Sequence, residues 1–277
     1  MSYCNLQADC EKCFGLCCVA LYFSATEGFP VNKDAGKPCI NLQDDFRCSV
    51  HNNLKKKGLK GCIAYDCIGT GQKVSQVTYG GNDWKRNPES AKQMFDVFII
   101  MRQIHEMLWY LEEALTLQSE HNMKDKLNAM INEIENLTLL SAESLIELDL
   151  GARRVGVNTL LLQTSELVRK KVKNNQMNSL KGKKTLGSGL DLIGADLRKK
   201  DLRGANLSGA YLIAANLRGV DLSFVDFIGA DLRDTDLSGA NLTNSIFLTQ
   251  GQINTAKGDA NTKLPKLLTK PRFWEND

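Results

Sequence analysis

From Leu190 the chain repeats in fives: LDLIG, ADLRK, KDLRG, ANLSG, AYLIA, ANLRG, VDLSF, VDFIG, ADLRD, TDLSG, ANLTN, SIFLT. A period of five matches neither the alternation of a strand nor the 3.6-residue turn of an α-helix, so neither element alone can bury the recurring apolar positions. Leu or Phe fills every central position, and the residue two before it is usually Ala or Val. A large and a small apolar side chain thus alternate with polar ones, the pattern of a solenoid that buries its core by stacking. If four units make one coil, residues twenty apart stack, and the two central exceptions, Phe227 and Phe247, fall twenty apart on one face. Lys200 breaks the pattern with a charge where a small inward residue belongs, which predicts a frayed first coil or a stem that leaves through its open end.

These units resemble the pentapeptide-repeat family. The resemblance implies a right-handed, four-sided β-helix of about three coils over 190–249, closed by a capping tail over 250–277. Some relatives in that family mimic DNA and protect a topoisomerase. Three coils span only about 15 Å against about 34 Å for one turn of B-DNA, and eight aspartates face six Lys and Arg over the repeat. The rod is too short and too nearly neutral for that role, so the expectation is a scaffold for a protein or peptide partner.

Upstream, a helical bundle is expected over 88–173 and a basic flexible linker over 174–189. Asn87 can cap and Pro88 suits a first helical position; Met94, Phe98, Met101, Ile104, Leu108, Leu111 and Leu115 then recur every three or four residues. Similar periodicity runs from Leu127 to Leu139 and, after a cap at Ser141, from Leu145 to Val172, with interruptions near Gly151 and Gly156. Asp149 and Arg153, four apart, are expected to pair on a helix surface. Arg102, His105, Trp109 and Glu112 make a second, polar stripe beside the apolar one. The linker lysines have no interleaved aromatics, which disfavours nucleic acid.

The first 77 residues are dominated by thiols. CEKCFGLCC places Cys10, Cys13, Cys17 and Cys18 in nine positions, and Cys39, Cys48, Cys62 and Cys67 follow, with His51 three residues after Cys48. On a helix Cys10, Cys13 and Cys17 would share a face, and three thiolates on one face repel unless a cation neutralises them. The chain shows neither a signal-peptide pattern nor an apolar run of the ~20 residues that span a bilayer. It is therefore expected to be cytoplasmic, where clustered thiols favour metal over disulfides.

The pattern CxxCxxxCC, then PCINL, CSVH and further cysteines, resembles cysteine-cluster domains that chelate zinc or iron. A cysteine-rich metal-binding domain over 1–77 is the expectation, with Cys10, Cys13, Cys17, Cys18, Cys39, Cys48, His51, Cys62 and Cys67 as the ligand pool and zinc or iron, one ion, more, or a cluster, as cofactor.

A structural site would be closed by four ligands, whereas a catalytic one would keep a position open and add a mixed ligand such as His51, Asp45 or Asp66. The alternative function is a cysteine-ligated iron enzyme doing redox or oxygen chemistry on a peptide or small substrate, with His51, His105 and Asp66 as catalytic candidates. No Ser-His-Asp arrangement or cofactor fingerprint is present, and GTGQ after Cys67 lacks the Walker lysine and reads as a turn.

Overall fold

The computed structural model describes residues 6–176 and 189–274. It divides into two compact units, Met1–Leu161 and Leu162–Asp277, and the division falls inside a helix. Most of the basic linker expected over 174–189 lies outside the described residues.

In the first unit, short elements carry the cysteines: α1 (Leu16–Ala20), α2 (Lys60–Ala64) and α3 (Thr70–Lys73), which continues into a π-helical turn over Val74–Thr78. Longer helices follow: α4 (Ala91–Leu117), α5 (His121–Leu137), α6 (Ala142–Ile146) and α7 (Leu150–Gln176). Pro88 opens a 3₁₀ turn that leads into α4.

The apolar stripe of α4 is the core. Met94, Val97, Phe98, Met101, Ile104, Leu108 and Leu111 are fully buried, with Leu127 and Ile134 of α5 and Leu145 of α6. Ser141 caps α6 by accepting the Ser144 amide at 3.3 Å. The interruption expected near Gly151 is the break over 147–149 between α6 and α7, whereas none occurs at Gly156, through which α7 runs. Gly156 permits a close helix approach instead: a Cβ there would lie 3.1 Å from Met130 Cε. The Asp149–Arg153 pair is also replaced, since Asp149 caps α7 through the Gly151 and Ala152 amides and Arg153 pairs with Glu133.

The second unit contains the repeats. Single-residue parallel bridges join positions twenty apart: Asp191 to Tyr211 to Asp231, Asp196 to Asn216 to Asp236, and Asn206 to Asp226 to Ile246. Each side supplies too few extended residues between turns for a longer ladder, so the stack has no extended strand among the described residues.

The Asp or Asn of each unit has a local task. Its side-chain oxygen accepts the amide two residues on, as in Asp191 to Ile193 at 3.2 Å and Asp226 to Ile228 at 2.9 Å, which folds the turn. The fifth position often takes a left-handed conformation, and Gly supplies it at Gly219 and Gly229. Phe227 and Phe247 are fully buried in successive coils. Lys200 is exposed, and the ladder skips the 201–221 bridge beside it among the described residues.

Within this unit the later turns of α7 lie on one face of the coil. Ser165 donates to Asp226 at 2.5 Å, Arg169 donates to Ser165 at 3.1 Å, and a Cβ on Gly204 would lie 3.5 Å from Val172. After the last repeat, α8 (Gln250–Thr255) starts with a Thr249–Gln252 capping box. Gln252 reaches back to the carbonyls of Phe227 and Ala230, and Trp274 is buried against Gly258.

Candidate thiol site

The single helix expected to align Cys10, Cys13 and Cys17 does not form. Cys10 starts a 3₁₀ turn that ends at Lys12, Cys13 is extended, and Gly15 takes φ +66° before α1 begins. A Cβ on Gly15 would lie 2.6 Å from Leu42 and 2.9 Å from the Phe46 carbonyl, so the chain passes there only as glycine. The loop is held from α3 and the turn after it. Gln72 bonds the Asp9 amide and the Gln7 carbonyl, Ser75 accepts the Phe14 amide at 3.0 Å, and Gln76 donates to the Lys12 carbonyl. Trp84 closes the loop by donating to the Phe14 carbonyl at 2.8 Å, in an aromatic chain with Phe46 and Phe95. GTGQ therefore opens a short helix whose glutamine grips the cysteine loop.

Cys17 nevertheless has thiol neighbours. Its sulfur lies 4.0 Å from that of Cys18, and its charge acts on Cys10, Cys13, Cys62 and Cys67. Cys13 packs on Gly71, where a Cβ would sit 2.5 Å from its sulfur. Each of four thiols receives backbone N–H groups from residues just downstream: Cys13 from Leu16 and Gly15, Cys39 from Asn41 at 3.5 Å, Cys48 from Val50 and His51, and Cys67 from Gly71 and Gly69. A neutral thiol is a weak acceptor, so amides aimed at sulfur favour thiolates.

Without a cation most of these groups stay protonated. Burial pushes Cys10 up to about 11 and Cys13 and Cys62 up to about 12, and it raises Cys67 as well, with neighbouring thiols adding to each. Cys18 is raised by its hydrogen bonding with Cys17 and Cys48. The same bonds lower Cys17 and bring Cys48 down to about 6, with help from the Val50 amide and the charge of His51.

None of the eight described cysteines forms a disulfide. Among the described residues no three His, Cys, Asp or Glu side chains already stand as a metal ion would require, so a ready-made metal centre is not shown.

The remaining candidates separate. His51 is exposed beside Cys48. Asp45 is exposed and Asp66 half-buried; each bonds an amide two residues on, Arg47 at 3.1 Å and Ile68 at 2.8 Å. His105 is fully buried on α4, with Nδ1 2.6 Å from the Ile68 carbonyl, and burial pushes it down to about 4. Lys33 was not foreseen. Its ammonium bonds the carbonyls of Val19, Asp34 and Lys37 and lies 4.6 Å from the Phe23 ring centre, close enough to feel Cys39 and Cys18.

Against known proteins, the pentapeptide-repeat family model matches eight copies over residues 188–223 and 221–247. The whole chain is 54% identical over 271 residues to the uncharacterized protein YybG of Bacillus subtilis (strain 168), covering 98% of this chain and 95% of that protein. The chain belongs to the YybG family. That likeness runs through the thiol segment and the helices as well as the repeats. No solved structure matches the chain. No helix among the described residues is long and apolar enough to cross a membrane.

Proposed function

We propose that the chain is a cytoplasmic metal-binding protein in which the thiols around Cys17 hold zinc or iron and the repeats serve as a rigid docking scaffold. The observation that carries the metal reading is the set of backbone amides aimed at Cys13, Cys39, Cys48 and Cys67. Burial disfavours thiolates at Cys13 and Cys67 until a cation compensates, and a bound metal supplies that compensation. The Cys17–Cys18 separation of 4.0 Å is near the roughly 3.8 Å that two sulfurs subtend on a tetrahedral zinc with 2.3 Å bonds.

One small core cluster of Phe23, Phe29 and Leu59 has Cys39 and Cys62 packed against it, so metal binding would add to that segment's folding free energy. Cys10, Cys18, Cys62 and His51 complete the ligand pool. The stacked turns are read as a right-handed four-sided β-helix, one face of which is already covered by α7. The exposed edges carry bidentate Asp–Arg pairs such as Asp196–Arg198 and Asp231–Arg233, a polar surface suited to a protein or peptide partner.

Purification without oxygen, followed by metal analysis and a visible spectrum, tests the metal reading. Stoichiometric zinc without colour, or iron with charge-transfer bands, is the expected result. Metal-free protein that takes up neither zinc nor iron would refute it.

A further inference from the structure

Cys67 sits on a loop that helix α4 holds from both sides. Arg102 Nε donates to the Asp66 carbonyl at 2.7 Å, and His105 Nδ1 donates to the Ile68 carbonyl at 2.6 Å. These are the carbonyls of the two residues that flank Cys67, and their two donors lie three residues apart on one helical face. Between them Ile68 takes φ +48°, a conformation that a β-branched residue adopts only where the surroundings impose it. The rest of the loop is also accounted for. Asp66 accepts the Ile68 amide, the Cys67 carbonyl accepts the Thr70 amide at 3.0 Å, and the Cys67 sulfur receives Gly71 and Gly69. The direction of that sulfur is therefore set by bonds that end on α4.

The choice of side chains is informative. His105 is fully buried, and its Nε2 has no partner among the described residues. An apolar residue would fill the same space without an orphaned nitrogen, but it would leave the Ile68 carbonyl buried and unbonded. The helix keeps the imidazole for its N–H.

We propose that Arg102 and His105 are positioning residues of the thiolate site, which aim the Cys67 sulfur at the metal through the two peptide carbonyls without touching the ion. This rests on the metal-binding reading above. It makes α4, whose other face is the core of the first unit, the template on which one ligand is pre-oriented. Outer-shell partners of this kind typically contribute about 10–100-fold in metal affinity.

The test uses the full chain prepared without oxygen, with Zn(II) affinity from chelator competition and the Co(II)–thiolate absorption spectrum as readouts. His105→Leu removes the donor, and His105→Asn places an amide N–H near the position of Nδ1. Arg102→Met, at a half-buried site, gives a second variant that does not disturb the buried ring. Loss of about 10–100-fold in affinity with an altered Co(II) spectrum in His105→Leu and Arg102→Met, and recovery in His105→Asn, is the expected result. Wild-type affinity and spectrum in Arg102→Met and in folded His105→Leu would overturn the positioning role while leaving the metal reading intact. A wild-type chain that binds neither metal would overturn both.

Discussion

Two neighbouring corners of the coil differ in one respect that can be turned into a matched pair of substitutions. Ala214 is exposed with φ +56°, and Gly219, five residues on at the equivalent corner, has φ +67°. A Cβ on Gly219 would meet nothing within 4 Å, so packing does not enter the comparison.

An L-residue in the left-handed region costs about 1–2 kcal/mol, and glycine costs about 0.4–1 kcal/mol through the freedom it adds to the unfolded chain. The difference makes Ala214→Gly stabilising by roughly 0.5–1 kcal/mol and Gly219→Ala destabilising by a similar amount. Urea unfolding followed by far-UV circular dichroism measures both, and the double variant should return close to wild type if the two corners act independently. A neutral Gly219→Ala, or an Ala214→Gly that destabilises, would refute the claim that left-handed corners rather than side-chain contacts govern these positions.

Burial raises the Asp226 carboxyl above its ordinary range despite the Ser165 bond, so the charged form is disfavoured in the folded coil. The contribution of this group is fully present below the unfolded carboxylate range and is lost as pH rises through the folded value. Asp226→Asn should therefore flatten that part of the stability profile and stabilise the repeats at pH 7, as read by denaturation at pH 4 and 7. Trp274 is almost fully buried and donates to the Ala256 carbonyl at 3.2 Å. Trp274→Ala should cost about 3–5 kcal/mol, seen as a lower midpoint in urea. His105 has the opposite linkage to Asp226. Its folded value of about 4 lies below the ordinary 6.5, so its neutral form is favoured and stability falls as pH drops from about 6.5 toward 4. The loss should approach roughly 3 kcal/mol and be absent in His105→Asn, measured by unfolding across that range.

The coil was readable because its rules are local. Each Asp or Asn bonds the amide two residues on, left-handed corners are marked mostly by Gly, and the family resemblance implies four units to a coil, hence a stacking interval of twenty. The buried face of α4 was readable for the same reason, since helical spacing alone places Met94, Phe98, Met101, Ile104, Leu108 and Leu111 together. The break expected near Gly151 is present between α6 and α7, but the one at Gly156 failed because tertiary packing overrides propensity, and the smallest side chain is what lets α7 approach Met130. The polar stripe of Arg102 and His105 was visible, but its targets on the Cys67 loop were not.

The sequence alone determined that nine thiols would crowd the first 70 residues, that a buried helix would follow them, and that a stacked coil of fives would come after it. Tertiary structure alone decided how the thiols face one another. Left-handed Gly15 replaces the expected helix, Gly71 admits the Cys13 sulfur, and Arg102 and His105 bond Asp66 and Ile68, the neighbours of Cys67, from 36 and 37 positions away in sequence. Periodicity encodes contacts that recur along the chain, whereas a site assembled from loops depends on single long-range contacts that leave no repeating trace.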